Sequence, residues 1–242
     1  EFINLISANS INIARLIPQT IYYFYSYSIL KKKYKHKVKN NVVFSVPCGN
    51  CGNLTGGLIS KKMGLPVSFI ACQNDNNVFV NFMTTGNYNP IQSVKTFSNA
   101  MDVGNPSNIK RINYIYKTID DLKKDVNTTH CNEFKTLSNI QEVWENFNYI
   151  IDPHTAVGYE GYKQYSSHKQ EAHEFNIIVS TAHPIKFMDI VNKSIQDNKI
   201  NIPMQISTID KKPMEKFIIK NDYDNFINIL KKISNKNVNI TL

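Results

Sequence analysis

The sequence predicts an α/β fold with three layers and a mostly parallel β-sheet. Two hydrophobic segments of strand length, residues 40–47 and 65–73, flank a glycine-rich turn and a helix that ends at Gly64. A strand, a helix and a second strand in this order form a βαβ unit, in which the two strands lie parallel. A further strand-turn-helix pattern follows at residues 174–187.

The length and composition are those of a globular protein. The chain has 242 residues, of which 42% are hydrophobic, enough for one large domain or for one domain with an appendage. Its longest apolar stretches are of strand length, well short of the roughly 20 residues that a membrane-spanning helix needs. No signal peptide is recognisable at residues 1–4 and no Met opens the sequence, so we expect it to begin inside a longer, cytoplasmic protein.

The net charge of +9 does not indicate a nucleic-acid-binding surface. It arises from 28 Lys and Arg against 19 Asp and Glu. The lysines are scattered or stand in short runs such as residues 31–33, and their neighbours are mostly Asn and Ile. Binding of phosphate backbones depends on clustered Lys and Arg, so we expect no nucleic-acid partner. Because the apolar stretches are too short to span a bilayer, we expect no membrane partner either.

The cysteines raise the alternatives of a zinc site and a redox pair. Cys48 and Cys51 form a C-x-x-C motif, whereas Cys72 and Cys131 stand alone. A zinc site needs a second such pair or two histidines at matching spacing, and neither is present, so we expect no metal. Four dispersed cysteines are typical of a reducing compartment.

The first 41 residues predict a helical lead-in segment, followed by an α/β domain over residues 42–242. Residues 11–30 predict a long helix interrupted only by Pro18, and a basic connector follows at residues 31–41. Apolar residues recur at spacings of three and four, which predicts a buried face. That face comprises Ile13, Leu16, Ile17, Thr20, Ile21 and Phe24.

The later segments alternate between helices and polar stretches. An amphipathic helix is predicted to start near Pro106, another near Ser138, and a last one over residues 223–233. Residues 118–135 are polar and irregular, which predicts a surface insertion.

The segment richest in chemical information is SVPCGNCGNLTGG, residues 45–57, between a strand and a helix. Gly49 and Gly52 allow positive φ and close approach of the backbone to a ligand. The amides of such a turn, with the helix N-terminus behind them, can cradle a phosphate group. The spacing is neither that of a dinucleotide-binding fingerprint nor that of a P-loop. A tight turn that only packs the helix onto the strand is the alternative.

This loop resembles the phosphate loop of the threonine synthase family, which has the second fold type of pyridoxal-phosphate enzymes. The matching segments are SVP-x-GN-x-GNLTGG and then SKKMGLP. Four further segments match in the same order along the chain, and together they cover nearly all of it. They are ANSINIARLIPQ at residues 8–19, SNAMDVGNPSN at residues 98–108, DPHTAVGY at residues 152–159 and STAHPIKF at residues 180–187.

The resemblance implies an incomplete large domain of such an enzyme, with pyridoxal 5'-phosphate as its cofactor. Its phosphate would be bound by Gly49, Asn50, Cys51, Gly52 and Asn53. The family usually has Ser or Thr in place of Cys48 and an aromatic residue in place of Cys51, so the C-x-x-C would be coincidental.

Thr181, in STAHP, matches the residue whose hydroxyl meets the pyridine nitrogen. A neutral partner leaves this nitrogen largely unprotonated, which makes the ring a weaker electron sink. Thr181 could otherwise only cap the helix after its strand. His154 and His183 are tempting as acid-base groups, but we favour a structural role for both.

The resemblance also indicates where the substrate binds. In the segment N-S-x-N-x-x-R, Ser10 and Asn12 would lie at a helix N-terminus, where anions are favoured. Arg15 offers a planar fork that suits a phosphate or a carboxylate. The substrate would be the small molecule O-phosphohomoserine. Arg15 could otherwise be a solvated or ion-paired helix residue.

The implied reaction converts O-phosphohomoserine and water to L-threonine and phosphate. The family places its Schiff-base lysine in a His-Gly-Pro-x-x-x-Phe-Lys-Asp motif, which we expect upstream of Glu1 because no lysine of this chain has that context. The chain alone would then be inactive. A related phospho-lyase and a non-catalytic remnant with a cofactor or phosphate pocket are the alternatives. The sequence leaves open whether the protein is a monomer or a homodimer.

Overall fold

The computed structural model describes residues 9–39, 42–168, 175–195, 202–209, 212–213 and 216–235. The described residues up to 195 belong to one compact unit, and those from 202 onward to a second. None of the described helices is long and apolar enough to cross a membrane. The division of the chain at residue 41 stays a prediction.

Four parallel strands form the sheet of the larger unit, in the order β3-β2-β1-β4. Every residue of β1 is buried, and all but one of β2, because the segments are rich in Val, Ile and Phe. The strands are β1 (Val42–Pro47), β2 (Val67–Gln73), β3 (Val126–His130) and β4 (Phe175–Ile178).

Helices connect and cover the strands. Those of the larger unit are α1 (Ile17–Tyr34), α2 (Gly52–Lys62), α3 (Val78–Thr85), α4 (Ile109–Ile115), α5 (Ile119–Asp125), α6 (Glu133–Phe147), α7 (Pro153–His168) and α8 (Met188–Ser194). Short 3-10 helices occur at Ile13–Arg15, Lys35–Lys37, Asn99–Met101 and Pro184–Phe187. The second unit contains α9 (Met204–Ile209) and α10 (Tyr223–Asn235).

The sheet lies between two helical layers, which confirms the predicted fold class. Alternate side chains of a strand point to opposite faces. On one face Phe44 of β1 packs with Tyr23 of α1 and Leu54 of α2. On the other face Val43 packs with Val157 of α7.

The strand order creates a switch point beside β1. The chain leaves β1 through α2 to reach β2 and β3 on one side, and later returns to β4 on the other side. In open α/β sheets, ligands bind beyond the carboxyl ends of strands at such a point. The residues that follow β1 and β4 therefore face the expected ligand crevice.

Three predictions about individual elements are wrong. Helix α6 begins at Glu133, after the capping residue Asn132, and not near Ser138. Helix α1 begins at Ile17 and Pro18 lies in its first turn, where proline is tolerated, so the proline does not interrupt it. The predicted buried face is only partly right, because Leu16 and Thr20 are buried but Ile17 and Ile21 are 58% and 67% exposed. Residues 118–135 form α5, strand β3 and the start of α6 rather than a surface insertion.

Candidate functional site

The glycine-rich segment forms the predicted strand-to-helix turn. Strand β1 ends at Pro47 and α2 begins at Gly52. A Cβ atom placed on Gly49 would lie 2.5 Å from the Cα of Met101, and one placed on Gly52 would lie 2.8 Å from the Cβ of Ser10. Both glycines are needed because other backbone and side-chain atoms approach them closely.

Positive φ occurs in this turn at a cysteine. Cys51, which immediately precedes α2, has φ 56° and ψ 21°, in the left-handed region. Among the described glycines only Gly64 and Gly86 have positive φ. The expectation that Gly49 and Gly52 supply positive φ is therefore wrong. The left-handed conformation costs a non-glycine residue roughly 1–2 kcal/mol.

The backbone of the turn presents a row of hydrogen-bond donors. None of the described residues accepts a hydrogen bond from the backbone N–H of residues 49 to 53, whereas the N–H of Thr55 already donates within the first helical turn. The N-terminus of α2 adds the positive end of the helix dipole. Consecutive N–H groups at a helix N-terminus are suited to bind an anion.

The two cysteines of the turn are buried thiols. The Sγ atoms of Cys48 and Cys51 are 4.0 Å apart, and both residues are at most 2% exposed. The hydrogen bond with Cys51, followed by burial, raises the pKa of Cys48 well above its ordinary value. In the described part of the chain no group of three or more His, Cys, Asp or Glu residues could hold a metal. Absence of metal from the protein stays a prediction.

The side chain of Asn50 is used to join three segments. Its Nδ2 atom donates to Ser10 Oγ at 2.6 Å. Its Oδ1 atom accepts from the backbone N–H of Ser107 at 2.6 Å and from Ser107 Oγ at 3.0 Å. Asn50 therefore offers a ligand its backbone rather than its side chain.

Asn53 fixes the first turn of α2. Its Nδ2 atom donates to the carbonyl of Pro47 at 2.7 Å, and its own carbonyl accepts from the hydroxyl of Tyr23 at 2.9 Å. These bonds tie α2 both to the end of β1 and to α1.

Thr181 lies beyond β4, the strand adjacent to β1. The backbone N–H of Val179 donates to the carbonyl of Ser45 at 2.9 Å, so the two chain segments stay paired up to this point. Thr181 and Asn53 line one cavity of about 510 Å³, a volume in the range of small-molecule sites. The structure thus brings Thr181 and the end of the glycine turn to one cavity.

The three residues predicted to bind substrate differ in their environment. Ser10 is half-buried beside the glycine turn, where it meets Asn50. The Oδ1 of Asn12 accepts from the N–H of Ala14 and caps the first 3-10 helix. Arg15 is exposed on that helix. Ser10 thus contacts the glycine turn directly.

Both histidines take part in local structure. His154 Nε2 accepts from the backbone N–H of Ala100 at 3.1 Å, so its Nδ1 carries the proton and donates to Asp152 at 2.8 Å. His183 Nδ1 accepts from the N–H of Ile185 at the start of a 3-10 helix. These contacts support the predicted structural roles.

Sequence reasoning missed the residues that hold the site together. Asn108 Nδ2 donates to the carbonyl of Asn50 at 2.9 Å, and Arg111 Nη1 donates to Asn108 Oδ1 at 2.7 Å. Ser107 and Asn108 belong to the NPSN segment that carries part of the family resemblance, which was the available signal. Arg111 lies one helical turn further along.

Comparisons with known proteins support the resemblance. The family model described as "Threonine synthase, C-terminal" matches residues 155–229. Threonine synthase of Buchnera aphidicola subsp. Schizaphis graminum is 37% identical over 225 residues, which cover 93% of this chain and 50% of that protein. The chain thus spans about half the length of the curated relatives it matches.

Solved structures show the same relationship. Yeast threonine synthase superposes with a TM-score of 0.85 at 28% identity, covering 94% of this chain and 53% of that one. Threonine synthase from Brucella melitensis, determined with PLP bound, has a TM-score of 0.79 at 23% identity, over 93% of this chain and 51% of that one, and supports the fold.

Proposed function

We propose that this chain, which belongs to the threonine synthase family, forms the phosphate-binding part of a pyridoxal-phosphate lyase that converts O-phosphohomoserine and water to L-threonine and phosphate. The observation that carries the proposal is the row of backbone donors at residues 49–53. It lies at the switch point of the sheet, one strand from Thr181.

The residues present fit the cofactor. The N–H groups of residues 49–53 would hold its phosphate, because they lack acceptors among the described residues and stand at a helix N-terminus. The Thr181 hydroxyl would meet its ring nitrogen as a neutral partner. When bound, pyridoxal phosphate supplies an electron sink for carbanionic character in an amino-acid substrate.

The substrate would approach from the side of Ser10, Asn12 and Arg15. Ser10 lies against Gly52, so its hydroxyl can donate to an anion next to the N-terminus of α2. Arg15 is exposed on the 3-10 helix that precedes α1, and its guanidinium can reach a ligand that carries a phosphate or a carboxylate.

We propose further that the chain by itself makes no threonine. No lysine lines the cavity beside Thr181 in the part of the chain that the structure describes. Lys61 donates to the carbonyl of Val67 and pairs with Asp125, and Lys62 lies over the ring of Tyr116, so both serve the scaffold. A covalent lysine link to the cofactor has no candidate among them.

Equilibrium titration with pyridoxal phosphate tests the cofactor proposal. Pyridoxal, which lacks the phosphate, is the matched control ligand. We expect reversible binding of one equivalent of pyridoxal phosphate, competition by inorganic phosphate, and at least ~10-fold weaker binding of pyridoxal, since hydrogen bonds to a charged group are worth about 1.5–3 kcal/mol each. Equal affinity for the two ligands would show that residues 49–53 do not bind the phosphate group.

A further inference from the structure

The orientation of the Asn50 side chain is set by a donor that cannot act as an acceptor. The backbone N–H of Ser107 points at one terminal atom of Asn50 at 2.6 Å, so that atom must be the carbonyl oxygen Oδ1. The other terminal atom is then the amide nitrogen Nδ2, which donates to Ser10 Oγ at 2.6 Å. Ser107 thereby determines which group Asn50 presents to Ser10.

This arrangement leaves the hydroxyl hydrogen of Ser10 available. A hydroxyl has one hydrogen to donate, and the Ser10 oxygen accepts the bond from Asn50, so its hydrogen points elsewhere. None of the described residues accepts a hydrogen bond from it. Ser10 lies against Gly52, beside the N-terminus of α2, where negative charge is favoured. The position suits donation to an anion.

Arg111 fixes the backbone on which this hydroxyl is carried. Its Nη1 donates to the carbonyl of Ser10 at 3.1 Å, and its Nη2 donates to the carbonyl of Ile11. The same Nη1 donates to Asn108, whose side chain donates to the carbonyl of Asn50. The contacts close a ring through Arg111, Ser10, Asn50 and Asn108. A planar guanidinium holds such a set of acceptors in one fixed geometry.

We infer that Ser107 and Arg111 are positioning residues that aim the Ser10 hydroxyl as a donor to a phosphate monoester at the N-terminus of α2. The inference rests on the proposed function and deepens it. The phosphate belongs either to the cofactor or to a phosphorylated amino acid, and ligand titrations separate the two. Neither Ser107 nor Arg111 needs to touch the ligand, because both act through Ser10.

The first test compares Arg111→Met with Lys110→Met. Lys110 is the exposed neighbour on α4, so its variant removes the same charge and breaks none of these contacts. Affinities are measured for pyridoxal phosphate and for O-phosphohomoserine, with circular dichroism to verify folding. One of the two phosphate esters is expected to contact Ser10. That ester should bind about tenfold more weakly to Arg111→Met and to Ser10→Ala than to the wild type. Lys110→Met should bind it with the affinity of the wild type. Loss for pyridoxal phosphate alone assigns the cofactor phosphate, and loss for O-phosphohomoserine alone assigns the substrate phosphate.

The double variant shows whether Arg111 acts through Ser10. We expect Arg111→Met with Ser10→Ala to bind no more weakly than either single variant, since residues that act through one contact are not additive. If the affinity losses of the two single variants add up in the double variant, the inference is wrong. It is also wrong if Arg111→Met and Lys110→Met bind the ligand equally well. Both results would count even when the wild-type chain binds the ligand.

Hydrogen exchange of the ligand-free chain decides the positioning role independently. We expect Arg111→Met, but not Lys110→Met, to increase deuterium uptake in peptides that cover residues 9–15 and 49–53. Unchanged uptake there would contradict the role of Arg111. Failure of the wild-type chain to bind either phosphate ester would instead refute the proposed function and with it the anion contact of Ser10.

Discussion

Gly49 lies against the backbone of Met101, so closely that a Cβ atom on Gly49 would be 2.5 Å from the Met101 Cα and 2.9 Å from its carbonyl carbon. The loop that carries Met101 therefore limits the space available to the glycine turn. That second loop is fixed in turn by partly buried hydrogen bonds between Asp102 and the side chains of Asn74 and Thr96.

Replacing Gly49 by Ala should damage both stability and cofactor binding. The new methyl group has no space, so one backbone segment must shift, at a cost of about 1–3 kcal/mol. The row of N–H groups would shift with it, and we expect at least ~10-fold weaker binding of pyridoxal phosphate. Urea denaturation and ligand titration give the two quantities.

Gly86→Ala is the matched control for this variant. Gly86 has φ 81° and no atom within 4 Å of its missing Cβ, so alanine there is strained but not crowded. We expect a loss of about 1–2 kcal/mol in stability and unchanged affinity. Equal affinity losses in the two variants would show that the effect is not specific to the phosphate loop.

The Thr181 hydroxyl should contribute to cofactor affinity but not to stability. Thr181 is exposed in the segment that follows β4, so Thr181→Val should leave the midpoint of thermal unfolding unchanged. Loss of one hydrogen bond worth about 0.5–1.5 kcal/mol predicts roughly 2- to 12-fold weaker binding of pyridoxal phosphate. Thr181→Ser, which keeps the hydroxyl, should bind as the wild type does. Wild-type affinity of Thr181→Val would exclude the assigned contact.

Stability should decline at alkaline pH because two thiols are held protonated by burial. Burial raises the pKa of Cys72 to about 12 and that of Cys131 to about 12. In the unfolded chain both titrate near pH 8.5, so from about pH 9 to 12 only the unfolded state loses these protons. The free energy of unfolding then falls as pH rises, by up to about 1.4 kcal/mol per pH unit for each thiol.

The alkaline decline can be assigned by comparing the wild type with the double variant Cys72→Ala, Cys131→Ala. Tyrosines and lysines titrate in the same range, so the difference between the two proteins is the informative quantity. The double variant should lose less stability between pH 9 and 11 than the wild type does. If the free energies of unfolding of the two proteins fall in parallel as pH rises, these thiols titrate in the folded protein as they do in the unfolded one.

The chain alone should form no stable covalent link to pyridoxal phosphate. After dialysis and borohydride reduction, mass spectrometry should find no lysine labelled in stoichiometric amount, and O-phosphohomoserine should release no phosphate. A longer protein that carries the His-Gly-Pro-x-x-x-Phe-Lys-Asp motif ahead of this sequence is the positive control. One stoichiometrically labelled lysine in the short chain, with release of phosphate, would identify a catalytic lysine among those assigned to the scaffold.

The parts of the fold that follow from local sequence could be predicted. The βαβ unit around the glycine turn has strong signals, because its strands are continuous hydrophobic runs and Gly64 marks the end of α2. The buried face of α1 could not be assigned fully, since apolar side chains occur all around that helix. Tyr23 is buried there while Ile17 and Ile21 are exposed.

Features that depend on distant partners had no local signal. Strand β3 is the short polar segment VNTTH at an edge of the sheet, and its backbone pairing with β2 rather than its composition makes it a strand. Asn50 meets Ser107 across 57 positions of sequence, and Arg111 meets Ser10 across 101. Such contacts become visible only when the chain is folded.

Amide chemical shifts of the phosphate loop test the central claim most directly. A ¹⁵N-labelled chain is titrated with pyridoxal phosphate, and the resonances of residues 49–53 are followed, with pyridoxal as the control ligand. Because these N–H groups have no acceptor among the described residues, a bound phosphate should move their proton resonances downfield and saturate with one equivalent. Pyridoxal should leave them in place. Saturable shifts confined to other parts of the chain, with the resonances of residues 49–53 unmoved, would contradict the account.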